Sequence, residues 1–238
     1  FNAFIRHLTV TNDADEEQDI RLFMHQVFQI SRAGRADTAL YVPDDNYILD
    51  YKGRCCILIS GKHTDDGDFD QFAVGSFRIE GKDGTYKDAE DGELSGNAVE
   101  HGGVDSVLRF RRQVAAGQSF GVDYWVVAAD SQTDAENVHE RIKRLSVVAR
   151  LQKAREHWHN WLTPVFDRIR VLPESQQVLV KKSLLIIKAH CDERGSILAS
   201  GDSSIFNYGR DYYCYCWPRD AAYAIWPLMR LGLYEEAK

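Results

Sequence analysis

The stretch Phe120–Ile142, "FGVDYWVVAADSQTDAENVHERI", holds the change of period on which the fold class turns. Over Phe120, Val122, Tyr124, Val126 and Ala128 apolar residues alternate at period two, and Trp125 and Val127 occupy the other alternation set. That pattern predicts a strand covered on both faces. Past Asp130 the period lengthens. Thr133-Asp134-Ala135-Glu136 reads as a capping box, with Thr133 accepting from a first-turn N–H and Glu136 reaching back. Val138, Ile142, Leu145, Val148, Leu151, Trp158 and Trp161 then recur at threes, fours or their sums, the apolar stripe of one long helix. The opposite face is charged, with Glu140, Lys143, Lys153 and Arg155 among others, and the segment reads as a connector.

Toward the amino end the pattern stays strand-like. His7–Thr11, Ile20–Ile30, Cys55–Ile59, Phe72–Phe77 and Val104–Arg111 are the candidate strands, separated by turn signals such as Asn12-Asp13 and "GKHTDDGDFDQ". Short strands at this spacing predict an antiparallel sandwich. Toward the carboxyl end a helix is predicted from Pro173-Glu174, with Gly195 as its stop. A loop rich in Gly, Ser and Asp follows, "GSILASGDSSIFNYGRD". A last helix opens at Pro218 and runs to Leu231, with Gly232 beyond it. Pro227 falls inside that helix, where proline costs about 3 kcal/mol, so a kink or an early break is expected. Strands first and helices after them define an α+β multidomain chain.

Composition bounds the function. The chain has 238 residues, a formal net charge of -7, 44% hydrophobic and 27% charged residues. An acidic balance argues against a nucleic-acid or anionic-membrane partner, and no stretch approaches the ~20 apolar residues of a membrane span. The five cysteines, Cys55, Cys56, Cys191, Cys214 and Cys216, form no even framework of disulfide spacings. They read as free thiols, which predicts a cytoplasmic setting. Cys191, Cys214 and Cys216 lack the C-x(2–4)-C spacing of a zinc site. His157 and His159 point to different faces of a helix. "DDGDFD", Asp65–Asp70, fails the EF-hand pattern and reads as a hairpin turn. No metal and no cofactor is therefore expected. Phe1–His7 carries neither an initiator Met nor a signal-peptide pattern, and Leu233–Lys238 starts a helical pattern, so a piece of a longer chain is expected.

The densest chemistry lies in "YYCYCWPRD", Tyr212–Asp220. Two readings of it stand. The aromatics are core and Arg219-Asp220 is a pair capping the helix, or the stretch is one wall of a sugar pocket. In the second reading a carboxylate and a guanidinium match vicinal hydroxyls, and Tyr213 and Trp217 pack on the C–H face of a pyranose.

The longer stretch Ser183–Ala237 resembles the start of the catalytic domain of glucoamylase-type hydrolases, glycoside hydrolase family fifteen. Asp192, Gly195, Ile197, Ala199 and Ser200 fit its "D-x-x-G-x-I-x-A-S" loop. Tyr213, Tyr215, Trp217, Arg219 and Asp220 fit "Y-x-Y-x-W-x-R-D", and Gly232, Glu236 and Ala237 fit "G-x-x-x-E-A". Pro227 and the thiols of Cys214 and Cys216 depart from the pattern without removing a sugar-contacting group. The strand-rich part, with "HLTVTNDADEEQDIRLFMHQVFQI", resembles the large β-sandwich domain of archaeal and bacterial members, entered partway.

The resemblance implies residues 1–130 as β-sandwich, 131–168 as helical linker and 169–238 as the first helices of an (α/α)6 barrel. It implies an inverting exo-acting α-glucosidase whose partner is an α-glucan or glucose-containing oligosaccharide. Tyr213, Trp217, Arg219 and Asp220 would be its substrate-binding residues. The general acid and base, both glutamates from later parts of such a barrel, are not expected in this chain, which alone is expected to be inactive. A trehalase or glucodextranase of the same family, or a non-catalytic carbohydrate-binding or scaffold module, are the alternatives.

Overall fold

The period-two segments pair into two antiparallel sheets. The computed structural model describes residues 2–28, 30, 36–144, 146–192, 194–200 and 215–238. Its strands are β1 (Ala3–Thr11), β2 (Gln18–Gln26), β3 (Asp37–Val42), β4 (Tyr47–Lys52), β5 (Cys55–His63), β6 (Gln71–Ser76), β7 (Val99–Gly102), β8 (Val104–Val114) and β9 (Ser119–Ala129). The larger sheet runs β1-β9-β5-β4-β3-β7 and the smaller β2-β8-β6. β3, β4 and β7 add to the strands read from the sequence. The chain divides into two compact units, Phe1–Arg150 and Leu151–Lys238.

In the first unit the sheets bury one core between them. Ile48, Ile59, Val122 and Tyr124 come from the larger sheet, and Val74, Leu108 and Phe110 from the smaller. The opposite face of the larger sheet is also buried. There Tyr47, Leu49, Leu58, Trp125 and Val127 pack against Ala135 and Ile142 of α1 (Gln132–Arg144). The two alternation sets of β9 thus serve two cores, as the sequence predicts. Phe23 of β2 likewise faces a third cluster with Ala73, Leu94 and Val107, while its neighbours Leu22 and Met24 join the sandwich core.

"DDGDFD" forms the expected turn. Lys62 bridges Asp68, His63 N–H donates to the Gly67 carbonyl at 2.7 Å, and Gly67 takes φ +95°. The chain then crosses to β6 of the smaller sheet. A long excursion between β6 and β7 is pinned to that sheet by Arg109. Its guanidinium donates to Asp70 Oδ2 at 2.5 and 2.9 Å and to the Gly92 carbonyl at 2.7 Å, and pairs with Glu93 at 2.8 Å.

Two helical expectations are corrected. The predicted long connector is two helices, α1 and α2 (Val147–Ile169). Ser146 opens the second by accepting from Arg150 N–H at 3.1 Å. Of the predicted stripe, Ile142 is buried before the break, but past it Val148 is 65% exposed and its neighbour Val147 is buried instead, so the stripe does not carry on along one buried face. The capping box is also displaced. Ser131 Oγ accepts from Asp134 N–H at 3.1 Å and donates to Asp134 Oδ2 at 2.6 Å, so Ser131 is the cap in place of Thr133. Glu136 turns to the sheet and accepts from Tyr47 at 2.6 Å.

The second unit is helical. Leu162, Val165 and Ile169 of α2 pack with Leu184 of α3 (Glu174–Ala189), Leu228 of α4 (Pro218–Arg230) and Leu233. Helix α3 ends before Gly195, which occupies a following loop at φ +88°. Helix α4 runs on through Pro227 rather than breaking there. The carbonyl deprived of a partner belongs to Tyr223, on an exposed part of the helix where water can serve it. Gly232, at φ +83°, ends the helix. Its N–H donates to the Met229 carbonyl at 3.2 Å, and Leu233 N–H to the Leu228 carbonyl at 2.9 Å.

Candidate sugar-binding site at the start of the last helix

The site is built on a loop and a helix start. Asp192 Oδ1 accepts from the N–H groups of Arg194 and Ser196, each at 2.8 Å, and closes the turn around Gly195. Cys191 and Ile197 form a bridge, and Leu198 N–H donates to the His190 carbonyl at 2.9 Å. Ile197 is buried and anchors the loop. Ala199 N–H then donates to the Tyr215 carbonyl at 3.1 Å, which ties the loop to the residues leading into α4.

Trp217 holds the cap position with extended φ and ψ of -95° and 117°, and Pro218 is the first helical residue. The Trp217 carbonyl accepts from Ala221 N–H at 2.9 Å. Arg219 and Asp220 therefore stand in the first turn, both exposed. The positive end of the helix dipole favours the Asp220 carboxylate there. Among the described residues no side chain caps this helix end, so Asp220 is not the capping residue that one reading of the sequence makes it. Nor is the Trp217 side chain core, being 46% exposed, with Tyr215 at 45%. Their rings meet edge to face, centroids 6.0 Å apart at 82°. The structure brings Trp217, Arg219 and Asp220 together within one turn. Tyr213 lies outside the described residues.

Tyr215 is a member of this aromatic surface that the sequence reading placed in the motif without giving it a site role. The arrangement offers an apolar wall, a carboxylate that accepts and a guanidinium fork that donates, the groups needed to orient a polyol. Among the described residues no group of three His, Cys, Asp or Glu side chains is placed to hold a metal ion. A separate groove of about 430 Å³ lies between α2 and α3, lined by Leu151, Ala154, Arg155, Trp158, Leu185 and Ala189. None of these is a site residue predicted from the sequence. Among the described residues no helix is long and apolar enough to cross a membrane.

The chain is similar in fold to a bacterial glucoamylase. The crystal structure of that glucoamylase, complexed with acarbose, aligns with a TM-score of 0.71 and 12% sequence identity, covering 91% of this chain and 32% of that one. The glucoamylase-like likeness is one of fold, and it takes in both the antiparallel sheets and the helices after them. The chain spans about a third of that glucoamylase's length. No family model and no curated protein matches the sequence.

Proposed function

We propose that these residues belong to an inverting, exo-acting α-glucosidase of the glucoamylase type that releases glucose from the non-reducing ends of α-glucans. One observation carries the reading. The likeness to a glucoamylase extends over 91% of the chain, and the stretch that resembles the family's sugar-binding motif opens an exposed first helical turn. In this reading α3 and α4 are the first helices of an (α/α)6 barrel, residues 1–130 are the sandwich and 131–168 the linker. Asp220 accepts from hydroxyls of the terminal glucose, Arg219 donates to them, and Trp217 with Tyr213 packs on the ring's apolar face.

Inversion requires an acid and a base about 6.5–9.5 Å apart across the sugar, with water between. No residue of this chain is assigned to either role, and the chain by itself is expected to release no glucose. The test is the parent protein carrying this sequence, assayed in parallel on starch, dextran and trehalose, with the anomer of the first glucose released read by NMR. The expected product is the inverted anomer, and Asp220→Ala is expected to lower kcat/KM about 10- to 100-fold, the worth of hydrogen bonds to a charged group. Binding of glucan without hydrolysis would make the parent a carbohydrate-binding module instead. A retained anomer would remove it from the inverting class.

A further inference from the structure

Helix α1 is held on the larger sheet by a buried imidazole. His139, 1% exposed, lies among Trp125, Tyr47 and the apolar residues that α1 covers. The indole Nε1–H of Trp125 donates to its Nδ1 at 3.1 Å. Indole nitrogen is a donor only, so Nδ1 is the acceptor and the neutral ring carries its proton on Nε2. The backbone of Asp45 lies near the ring, and Nε2 closes no hydrogen bond of ordinary geometry among the described residues. The Tyr47 ring meets the imidazole edge to face, centroids 5.6 Å apart.

Protonation would put an N–H on Nδ1 against the N–H of Trp125, and a charge where no water reaches. We infer that His139 is an acid-sensitive latch: protonating it releases α1 from the sandwich while the two sheets stay paired. Burial, followed by the nearby Lys143 ammonium, holds the imidazole below its ordinary pKa, with Glu140 and the Asp45 side acting the other way. Of the other ionisable groups, Tyr47 on the sheet meets the imidazole edge to face, and Glu136 on α1 accepts from Tyr47. A depressed pKa means that the docked helix is fully stabilised above the ordinary histidine value, about 6.5, and loses that stabilisation as pH falls below it. The sandwich core lies on the other face of the larger sheet, and the strands pair through backbone bonds in the sheet plane that the imidazole does not make.

The experiment is hydrogen exchange on the 238-residue chain between about pH 7.5 and pH 5, corrected for intrinsic exchange chemistry. Exchange in Gln132–Arg144 is expected to rise at least about tenfold relative to β5 and β9. In His139→Asn the amide oxygen takes the place of Nδ1 and still accepts from Trp125, but it does not protonate in this range. The pH response of α1 should then vanish. Unchanged α1 protection in the wild type overturns the proposal, as does a response that survives in His139→Asn. Should the variant fail to fold, NMR titration of the wild-type imidazole decides. Protonation of His139 must coincide with α1 release, and its titration with α1 still protected overturns the latch.

Discussion

The phenol of Tyr47 donates to Glu136 Oε1 at 2.6 Å and accepts from Gln132 Nε2 at 3.0 Å, joining β4 to the first turns of α1. Burial, and then the Glu136 bond, push its pKa up to about 12. A raised pKa stabilises the fold fully below the ordinary tyrosine value of about 10, and that stabilisation is lost as pH rises toward 12. Tyr47→Phe should cost about 1 kcal/mol at pH 7 in urea unfolding. It should also flatten the fall in stability above about pH 10. An unchanged alkaline profile would show that another group carries it.

Asp50 carries a pH dependence of the same sign in a lower range. It is 3% exposed, its Oδ1 has no partner among the described residues, and burial, with Asp37 as a second cause, raises its pKa to about 8. Its stabilising effect is complete below the ordinary carboxylate value and is lost as pH climbs to about 8. Asp50→Asn keeps the shape and carries no charge. It is expected to be close to neutral at pH 4 and to raise the melting temperature at pH 9. A variant less stable than wild type at pH 9 would contradict this.

Arg109 is a buried cation with three anchors, Asp70, Glu93 and the Gly92 carbonyl, and is 3% exposed. In Arg109→Met the two carboxylates are exposed enough to resolvate, so the loss should be about 2–3 kcal/mol, below the full cost of a stranded buried charge. Arg109→Lys should restore little, because a point charge does not replace the planar fork. The check is the urea midpoint together with protease cleavage between residues 77 and 98, which should accelerate in both variants.

Gly232 and Gly195 separate two costs. Both have positive φ, at +83° and +88°. A Cβ on Gly232 would lie 2.8 Å from Arg168 Cζ, while one on Gly195 meets open space. Arg168 also donates to the Arg230 carbonyl at 3.4 Å, closing the end of α4. Gly195→Ala should cost about 1 kcal/mol for the left-handed backbone alone. Gly232→Ala should cost more and raise hydrogen exchange in α4. Equal costs would mean that Arg168 moves aside freely.

The change of architecture near Asp130 was legible because it rests on local periods, and Pro218 marked the start of α4 for the same reason. β3, β4 and β7 were not. β3 pairs with β7 across some sixty positions of sequence, Leu40 opposite Val99 and Asp37 opposite Gly102, and β3 and β4 carry buried Asp37 and Asp50 where an alternation would put apolar residues. The cap of α1 was ambiguous locally. Ser131 and Thr133 each precede an acid by three residues, and a tertiary partner, Tyr47, decides between them by taking Glu136. At the candidate site, the grouping of Trp217, Arg219 and Asp220 could be read from Pro218. Their exposure could not, because it depends on what packs around them.

The cover that α1 gives the larger sheet has a practical side. Cutting the sandwich free at residue 130, where the strands end, would bare Tyr47, Leu49, Leu58, Trp125 and Val127 as one continuous apolar face. Such a piece would be expected to aggregate through that face even with every strand intact. A soluble version of the sandwich has to keep its helix, at least through Arg144.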